Sequence, residues 1–414
     1  MKTKLLVISL ASFIALASNA QWVQQTSMSS ANLTGIHCTH LDTCFAAGST
    51  GNIRKTVNGG TNWAVISSGT ITNISSVKMH TNQDIWCGLV NGTFRHSSNG
   101  GTSWATVSTG ASATHYIYDM WFHDPNNFFA VGGSNSNQAS GGHVGITSTN
   151  GGTSWTAVNS SGVPTFFGNH FFNSSVGVVS AGAETIYKTY DGGATWVKKD
   201  SGAAGSYYDI HFPTSSVGYA AGGSSSSPST GGIMKKTIDS GNTWLPVTLP
   251  IANTLYGVHF VNADTGFAVG NGGKIICTTD GGLNWIVQAS PVSTDLNKII
   301  MMNDSVGYIC GASGVILKTL NGGGYLTTGI NENNSQNLFS VYGNPSHTEI
   351  KIETKFEMHN AELNIYSSLG QKMEALKNIS GNTISIKSAS YQNGIYFFEL
   401  RNEGKIIEGK FVVE

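Results

Sequence analysis

Apolar and polar positions alternate along this chain in short runs, and the runs recur in groups of four. In each group one run ends at Cys38, Met79, Phe122, Phe171, Phe212, Phe260 or Met301. Seven residues further on, the next run carries Phe45, Trp86, Phe129, Val178, Tyr219, Phe267 or Tyr308. A third run, such as Gly273-Lys274-Ile275-Ile276-Cys277, leads into a glycine turn, and a fourth follows a tryptophan, as in Trp104-Ala105-Thr106-Val107-Ser108. Period-two alternation bounded by turn residues predicts strands, and no window carries a useful 3.6-residue period. The turn reads Lys55-Thr56-Val57-Asn58-Gly59-Gly60-Thr61-Asn62-Trp63 and returns at Trp104, Trp155, Trp196, Trp244 and Trp285, with a degenerate copy ending at Tyr325. Spacings of 41, 51, 41, 48, 41 and 40 residues mark a repeat architecture. Four strands per repeat and seven repeats predict an all-β fold, a seven-bladed β-propeller of four-stranded blades. One strand, from Gln21 to Gln25, precedes every turn, and only Tyr325 to Thr328 follow the last one. The N-terminal strand is therefore expected to complete the last sheet, with Tyr325 to Thr328 as its competitor.

The turn has a local chemistry. Asn58, Asn99, Asn150, Asp191, Asp239, Asp280 and Asn321 offer a side-chain oxygen to backbone amides inside it. The glycines supply positive φ. The copy Lys188-Thr189-Tyr190-Asp191-Gly192-Gly193-Ala194-Thr195-Trp196 resembles the Asp-box hairpin of sialidase-type propellers. The longer unit, Gly-Tyr-Ala-x-Gly running through to Thr-Trp, is similar to the photosystem II assembly and stability factor family. These resemblances cover about residues 21 to 328 and imply a fold more than an activity, because unrelated functions share the turn. They give the seven turn residues a structural role and raise the expectation of an assembly or stability factor for a surface protein complex.

The two ends of the chain differ from the middle. Lys2 and Lys4, an apolar run from Leu5 to Ala17, and Ser18-Asn19-Ala20 predict a secretory signal peptide over 1–20. A run of thirteen residues is too short to span a bilayer, and no later apolar run reaches the roughly 18 residues required, so no transmembrane segment is expected. Residues 329–336 read as a polar linker. Beyond it glutamate becomes frequent, whereas Glu184 stands alone in the propeller region. Alternating segments at Thr348 to Glu353, Ala361 to Tyr366, Thr383 to Ile386, Gly394 to Leu400 and Gly409 to Val413 predict a small β-sandwich over 337–414. Tyr342-Gly343-Asn344-Pro345, Leu363-Asn364-Ile365-Tyr366, Leu369-Gly370-Gln371-Lys372 and Asn393-Gly394-Ile395-Tyr396-Phe397 resemble the C-terminal sorting domain of the type IX secretion system of Bacteroidetes. Gly343 stands where that family usually has proline. The resemblance implies the type IX secretion machinery as a partner and a secreted or cell-surface location.

Composition narrows the chemistry. The 414 residues are 11% charged with a formal net charge of −1, which removes the electrostatic footprint of nucleic-acid binding. An exported chain meets an oxidising compartment, and Cys38 and Cys44 flank one short connection, so a disulfide between them is expected. Cys87, Cys277 and Cys310 remain unassigned. A sialidase clamps its substrate carboxylate with three arginines, and only Arg54 and Arg95 lie in the propeller, which excludes that chemistry. A hydrolase of neutral glycans needs two carboxylates across a cleft; Asp119 and Asp209, each after a tyrosine at the start of an innermost strand, are the best candidate pair. His37, His170, His211 and His259 share one repeat position, filled elsewhere by Lys78, Trp121 and Ile300. One histidine per repeat reads as packing, and no metal or cofactor is expected. Tyr116, Tyr118, Phe167, Tyr207, Tyr208 and Tyr256, with Phe166 beside them, cluster where the innermost strands begin. Such aromatics beside small polar residues suit a glycan or protein ligand. A non-enzymatic binding module is the leading expectation, with the hydrolase and the assembly factor as alternatives.

Overall fold

The computed structural model describes residues 22–413, except 135–141, 160–163, 203–204, 225, 325–338, 343–348, 368–370 and 403–404. The leader, the linker, Tyr325 to Thr328, and the Gly343-Asn344-Pro345 and Leu369-Gly370 parts of the tail motif thus lie outside the described residues. The chain divides into two compact units, Met1–Tyr325 and Leu326–Glu414.

Among the described residues the first unit holds seven four-stranded antiparallel sheets. The first comprises Leu33–Cys38, Cys44–Gly48, Asn52–Thr56 and Ala64–Ser67, and the next five repeat this consecutive order. The seventh is built from Leu296–Met301, Gly307–Gly311 and Ile316–Thr319, and its outermost strand is Val23–Gln24, from the other end of the unit. Val23 pairs with Lys318 and Gln24 with Leu317. Each inner strand lies beside the inner strand of the next sheet, and the seventh lies beside the first. A sheet that packs on two neighbours buries its second strand on both faces. Cys44–Gly48, Ile85–Leu89 and Gly266–Gly270 are accordingly buried at every position, and they read as unbroken apolar and small residues rather than alternating ones. The outermost strands, such as Ala64–Ser67, are largely exposed.

The repeated turn is one hydrogen-bonded device. In the first copy Asn58 Oδ1 accepts from the Asn62 amide at 3.0 Å, and Thr56 Oγ1 accepts from the Gly60 amide at 2.9 Å. The fourth copy does the same with Asp191 and Thr189, at 2.8 and 2.9 Å. Asparagine therefore serves as well as aspartate, because only an oxygen acceptor is required. Hydrogen bonds from Thr195 and Thr189 hold the Asp191 carboxyl down at about 2. The second glycine of the turn has two reasons to be glycine. Gly152 sits at φ +79°, and a Cβ there would come within 2.5 Å of the Trp86 ring on the preceding sheet. Lysines on third strands tie each sheet to the turn of the next. Lys55 Nζ donates to the Gly100 carbonyl at 2.7 Å, Lys236 to Gly281 at 2.6 Å, and Lys318 of the seventh sheet to Gly59 of the first at 2.5 Å.

Cys38 and Cys44 are bonded, joining the end of the first inner strand to the start of its neighbour, and Cys87, Cys277 and Cys310 are buried thiols.

The second unit is one five-stranded antiparallel sheet: Phe339–Tyr342, Glu349–Ser367, Lys372–Lys387, Gly394–Asn402 and Lys405–Val413. The sequence pattern breaks between Glu353 and Ala361, yet Glu349–Ser367 is a single strand. Register shifts at Glu353/Met358 and Met358/Ala361, with Asn360 at φ +53°, disturb the alternation without ending the strand. Where a sandwich was expected, the five strands form one continuous sheet. Both ends of its long strand feed a common core: Ile350 and Ile352 from one end cluster with Leu363, Ile365 and Phe398.

The seventh sheet supplies a test of its borrowed strand. Trp22 is 1% exposed, its indole Nε1 donates to Gln288 Oε1 at 2.8 Å, and its ring meets Phe267 edge-on. Trp22→Ala removes a large buried ring and orphans a buried acceptor, and is expected to cost about 3–5 kcal/mol. Denaturant unfolding of the chain, compared with an exposed control such as Val65→Ala, measures it; equal midpoints would show that the first strand does not hold the seventh sheet.

Candidate functional site

All seven inner strands share one irregularity. The register shifts across one residue near the start of each: Leu33/Gly35, Ile74/Ser76, Ile117/Asp119, Phe166/Gly168, Tyr207/Asp209, Leu255/Gly257 and Leu296/Lys298. A bulge leaves one residue unpaired and re-aims its side chain. That residue is Thr34, Ser75, Tyr118, Phe167, Tyr208, Tyr256 or Asn297 in turn. All seven line one cavity of about 340 Å³, to which every inner strand contributes.

The cavity has two unlike sides. Across the third to sixth sheets the rings follow one another in tilted and T-shaped contacts: Tyr116–Tyr118 at 5.6 Å between centroids, Tyr118–Phe167 at 4.9 Å, Phe167–Tyr208 at 5.2 Å and Tyr208–Tyr256 at 5.6 Å. Burial, with Asp295 nearby, pushes the Tyr256 hydroxyl up to about 12, so it stays a neutral donor. The opposite side is polar, with Asn32, Ser49, Asn73 and Asn297. Its small residues also tie sheets together. Thr34 Oγ1 donates to the Ile74 carbonyl at 2.7 Å, Ser75 Oγ to Ile117 at 2.7 Å, and Asn297 Nδ2 to Leu33 at 2.7 Å across the closure.

Five of the six aromatic candidates meet in this cavity. The sixth, Tyr207, does not. It occupies the position just before the bulge, 1% exposed, packed with Ile186, Ile210 and Trp244 between sheets. Two adjacent tyrosines on a bulged strand point to different places, and only Tyr208 faces the cavity. Sequence reading passed over Asn32, Asn73, Asn297 and Lys298. The signal was available in the repeat register, since Asn297 and Lys298 stand where the fifth sheet has Tyr208 and Asp209.

A second cavity of about 150 Å³ lies along the same seven strands, and Lys298 lines both. It contains the proposed carboxylate pair, and the geometry removes the hydrolase reading. Asp119 is 6% and Asp209 3% exposed. Asp119 Oδ2 accepts the Asn169 amide at 3.1 Å, and Lys78 Nζ lies 3.6 Å from Oδ1. Asp209 accepts the Ile210 and Val258 amides, both at 3.0 Å, and Lys298 Nζ at 2.7 Å. Carboxylates committed to backbone amides and ammoniums join sheets; they do not face an open cleft as acid and base. Arg54 and Arg95 are likewise committed, to the carbonyls of Ser27 and Met28 and of Ser68 and Trp104.

The histidines line the same cavity or sit beside it. His37 Nδ1 accepts the Met79 amide at 3.2 Å, His211 the Phe260 amide at 3.3 Å and His259 the Met301 amide at 3.4 Å. Each bond crosses to the next sheet and needs a neutral ring. Burial first, then the neighbouring imidazoles and the charges of Lys78 and Lys298, hold His37 and His211 well below the ordinary value; burial, then Lys78 and Lys298, lowers His259 to about 3. His170, beside Trp121, is lowered to about 4 by burial. The turn residues Asn58, Asn99, Asn150, Asp191, Asp239, Asp280 and Asn321 lie away from both cavities and bond within their own turns. Among the described residues, no group of three or more His, Cys, Asp or Glu side chains could hold a metal ion. No described helix is long and apolar enough to cross a membrane.

The family model described as photosynthesis system II assembly factor YCF48 matches residues 236–391, a stretch covering the last sheets of the ring and much of the second unit. No protein of curated function matches. Among solved structures, YCF48 bound to D1 peptide is 16% identical, covers 74% of this chain and 99% of its own, and superposes with a TM-score of 0.58. YCF48 from Cyanidioschyzon merolae is 18% identical over 72% of this chain and 98% of its own, with a TM-score of 0.57. The WD40 β-propeller domain of Doa1 is 10% identical over 72% and 94%, with a TM-score of 0.54. At these identities the likeness establishes the fold: the first unit is an all-β propeller of four-stranded sheets.

The histidine bonds predict an acid response. An unfolded histidine titrates near 6.5, while these rings resist protonation until far lower. Their contribution is complete above about pH 6.5 and is lost as pH falls toward 3–4, because unfolding then takes up protons. The charged groups that face these rings are Lys78, Lys298, Asp119 and Asp209, and the span from pH 6.5 to 5 lies below the unfolded histidine value and above the folded ones. In that window each histidine should add about 1.4 kcal/mol per pH unit to the slope of stability. His259→Ile, which installs the residue found at Ile300 in the seventh sheet, should lower the proton uptake on unfolding by about one. An unchanged slope between pH 5 and 6.5 would refute the assignment.

Proposed function

We propose that this chain is an exported seven-bladed propeller that holds an extended segment of a partner protein at the mouth of its axial channel, as an assembly or stability factor for a surface complex. The observation that carries this reading is the two-sided mouth. An arc of contacting rings from Tyr116 to Tyr256 faces Asn32, Asn73 and Asn297 across a cavity of about 340 Å³. Aromatic rings take up apolar side chains through area and shape. Carboxamides can donate to and accept from peptide groups at once. The comparison adds support, since a propeller of this fold has been captured bound to a peptide. A glycan would also suit rings and carboxamides, and it is the outcome the experiment must separate.

Export and the sorting role of the tail belong to the same proposal. Their support is the leader pattern over 1–20 and the tail residues that resemble the type IX sorting domain, of which Leu363, Ile365 and Tyr396 are buried in the core of the second unit. The reading places the mature protein at the cell surface or outside it. Deleting 337–414 should leave the propeller in the periplasm, as read by cell fractionation; unchanged surface delivery would overturn the sorting role.

The ligand class is tested by probing a peptide library and a glycan array with the mature chain, beside Tyr208→Ala. Peptides are expected to bind. Loss of Tyr208, a ring at the centre of the arc, should weaken them about tenfold or more. Tyr207→Ala should instead lower the unfolding midpoint, since that ring is buried between sheets. Glycan binding alone, or equal peptide binding by wild type and Tyr208→Ala, would sink the reading.

A further inference from the structure

Beneath the mouth, the inner cavity holds polar groups that the sheets do not use. Asn169 is 2% exposed and lines this cavity, yet neither its Oδ1 nor its Nδ2 has a partner within the protein. The same strand position is Ile36, Val77, Met120, Ile210, Val258 and Ile299 in the other sheets. A buried carboxamide without partners is costly, of order 1–3 kcal/mol for each orphaned group. An apolar residue would have avoided that cost, as six sheets demonstrate.

The groups around Asn169 are mostly donors. His37, His211 and His259 each use Nδ1 to accept a backbone amide, which leaves Nε2–H as the donor of a neutral ring. Lys78 brings an ammonium whose ion pair with Asp119 is long, at 3.6 Å. The indole Nε1 of Trp121, which also lines the cavity, is buried without an acceptor. The acceptors are already occupied. Both oxygens of Asp209 are bonded, and Asp119 holds an amide and Lys78. The ammoniums of Lys78 and Lys298 are felt by all three histidines, beside the neighbouring imidazoles in the case of His37 and His211. The two ammoniums are balanced by the two carboxylates, so what the cavity lacks is oxygen acceptors for its spare N–H donors.

We propose that this inner cavity is a binding site for a small oxyanion or carboxylate, held by Lys78, the Asn169 carboxamide and the imidazole N–H groups of His37, His211 and His259. Its volume of about 150 Å³ admits an ion the size of acetate, phosphate or sulfate. The site stands apart from the aromatic mouth in both residues and chemistry, and only Lys298 borders both. It can be filled by a free ion or by an acidic group that a mouth ligand extends downward; the shared chemistry is the anionic oxygen.

Calorimetric titration of the mature full chain with sodium acetate, phosphate and sulfate, in a chloride-free buffer at pH 7, tests this. At least one ion is expected to bind saturably at one site per chain. Asn169→Val places the residue of the second and sixth sheets at this position, so it should fold with an equal or higher unfolding midpoint. It should bind that ion about tenfold more weakly, the scale of one hydrogen bond to a charged group. Lys78→Met should weaken it at least as much. If Lys78→Met fails to fold because Asp119 loses its counter-ion, Asn169→Val alone decides. Absence of saturable binding by all three ions, or wild-type affinity in Asn169→Val, would overturn the site and leave a channel that holds only water. Either result is independent of whether peptides bind at the mouth.

Discussion

The first unit depends on a ring that must close with a strand taken from its far end. Six sheets are made from consecutive strands, but the seventh is one strand short until Val23–Gln24 pairs with Ile316–Thr319. Short as it is, that strand arrives with Trp22, whose ring fills the space between the sixth and seventh sheets. Further bonds secure the seam. Tyr308 OH donates to the Leu41 carbonyl at 3.1 Å, and Lys318 reaches Gly59. Closure also removes the problem of open sheet edges, because every inner edge faces the axis and every sheet face meets a neighbour. Without closure the seven inner strands would not surround anything, and neither cavity would exist.

Given closure, a single backbone feature converts a packing element into a lining. The bulge at the start of every inner strand sends one side chain to the mouth and the next reachable one across to the neighbouring sheet. Where that next residue is Asp119 or Asp209, it takes the amide of the adjoining inner strand. Where it is Gly35 or Gly257, the adjoining strand approaches directly, to within 3.0 and 3.2 Å of an imagined Cβ. The carboxylates that look catalytic in sequence are thus answers to the same spacing problem that glycine solves elsewhere. Their lysine partners follow from burying a charge, which demands a counter-charge and hydrogen bonds.

Much of this was legible in the chain itself. The turn spells out its own hydrogen bonds, since an Asx oxygen four residues before an amide can bond in only a few ways, and a glycine pair marks the positive φ. The repeat length gave the sheets, and the cysteine spacing pointed to the bond between Cys38 and Cys44. What sequence periodicity could not resolve was direction. A strand of strict period two would put Tyr207 and Tyr208 on opposite faces without saying which faced the axis, and the bulge changes the answer for every residue before it. The long strand Glu349–Ser367 hid for the same reason, because its register shifts erase the alternation by which strands are recognised. The polar half of the mouth was hidden differently. Asparagine and serine are so common in these loops that Asn32 and Asn73 carry no signal until the fold brings them opposite the rings.

The positions that vary among the repeats say where the molecule is specialised. The turn residues perform one task seven times, so Asn and Asp exchange freely there. Along the inner strand the position before the bulge is aliphatic or aromatic and buried in every sheet, from Leu33 to Leu296, because it always packs between sheets. The bulged position is different: four adjacent sheets carry rings and the other three carry Thr34, Ser75 and Asn297. A packing requirement repeated by symmetry would produce the same residue type around the ring. The small polar groups bond to the neighbouring sheet, but that task does not call for rings in the other four sheets, and the rings line a cavity. Asn169 makes the same point in the layer below, where six apolar residues satisfy the packing and the seventh breaks it with unpartnered polar atoms. Departures from the repeat at lining positions, set against uniformity at packing positions, are what direct the search for ligands to the axis of the ring rather than to its conspicuous turns.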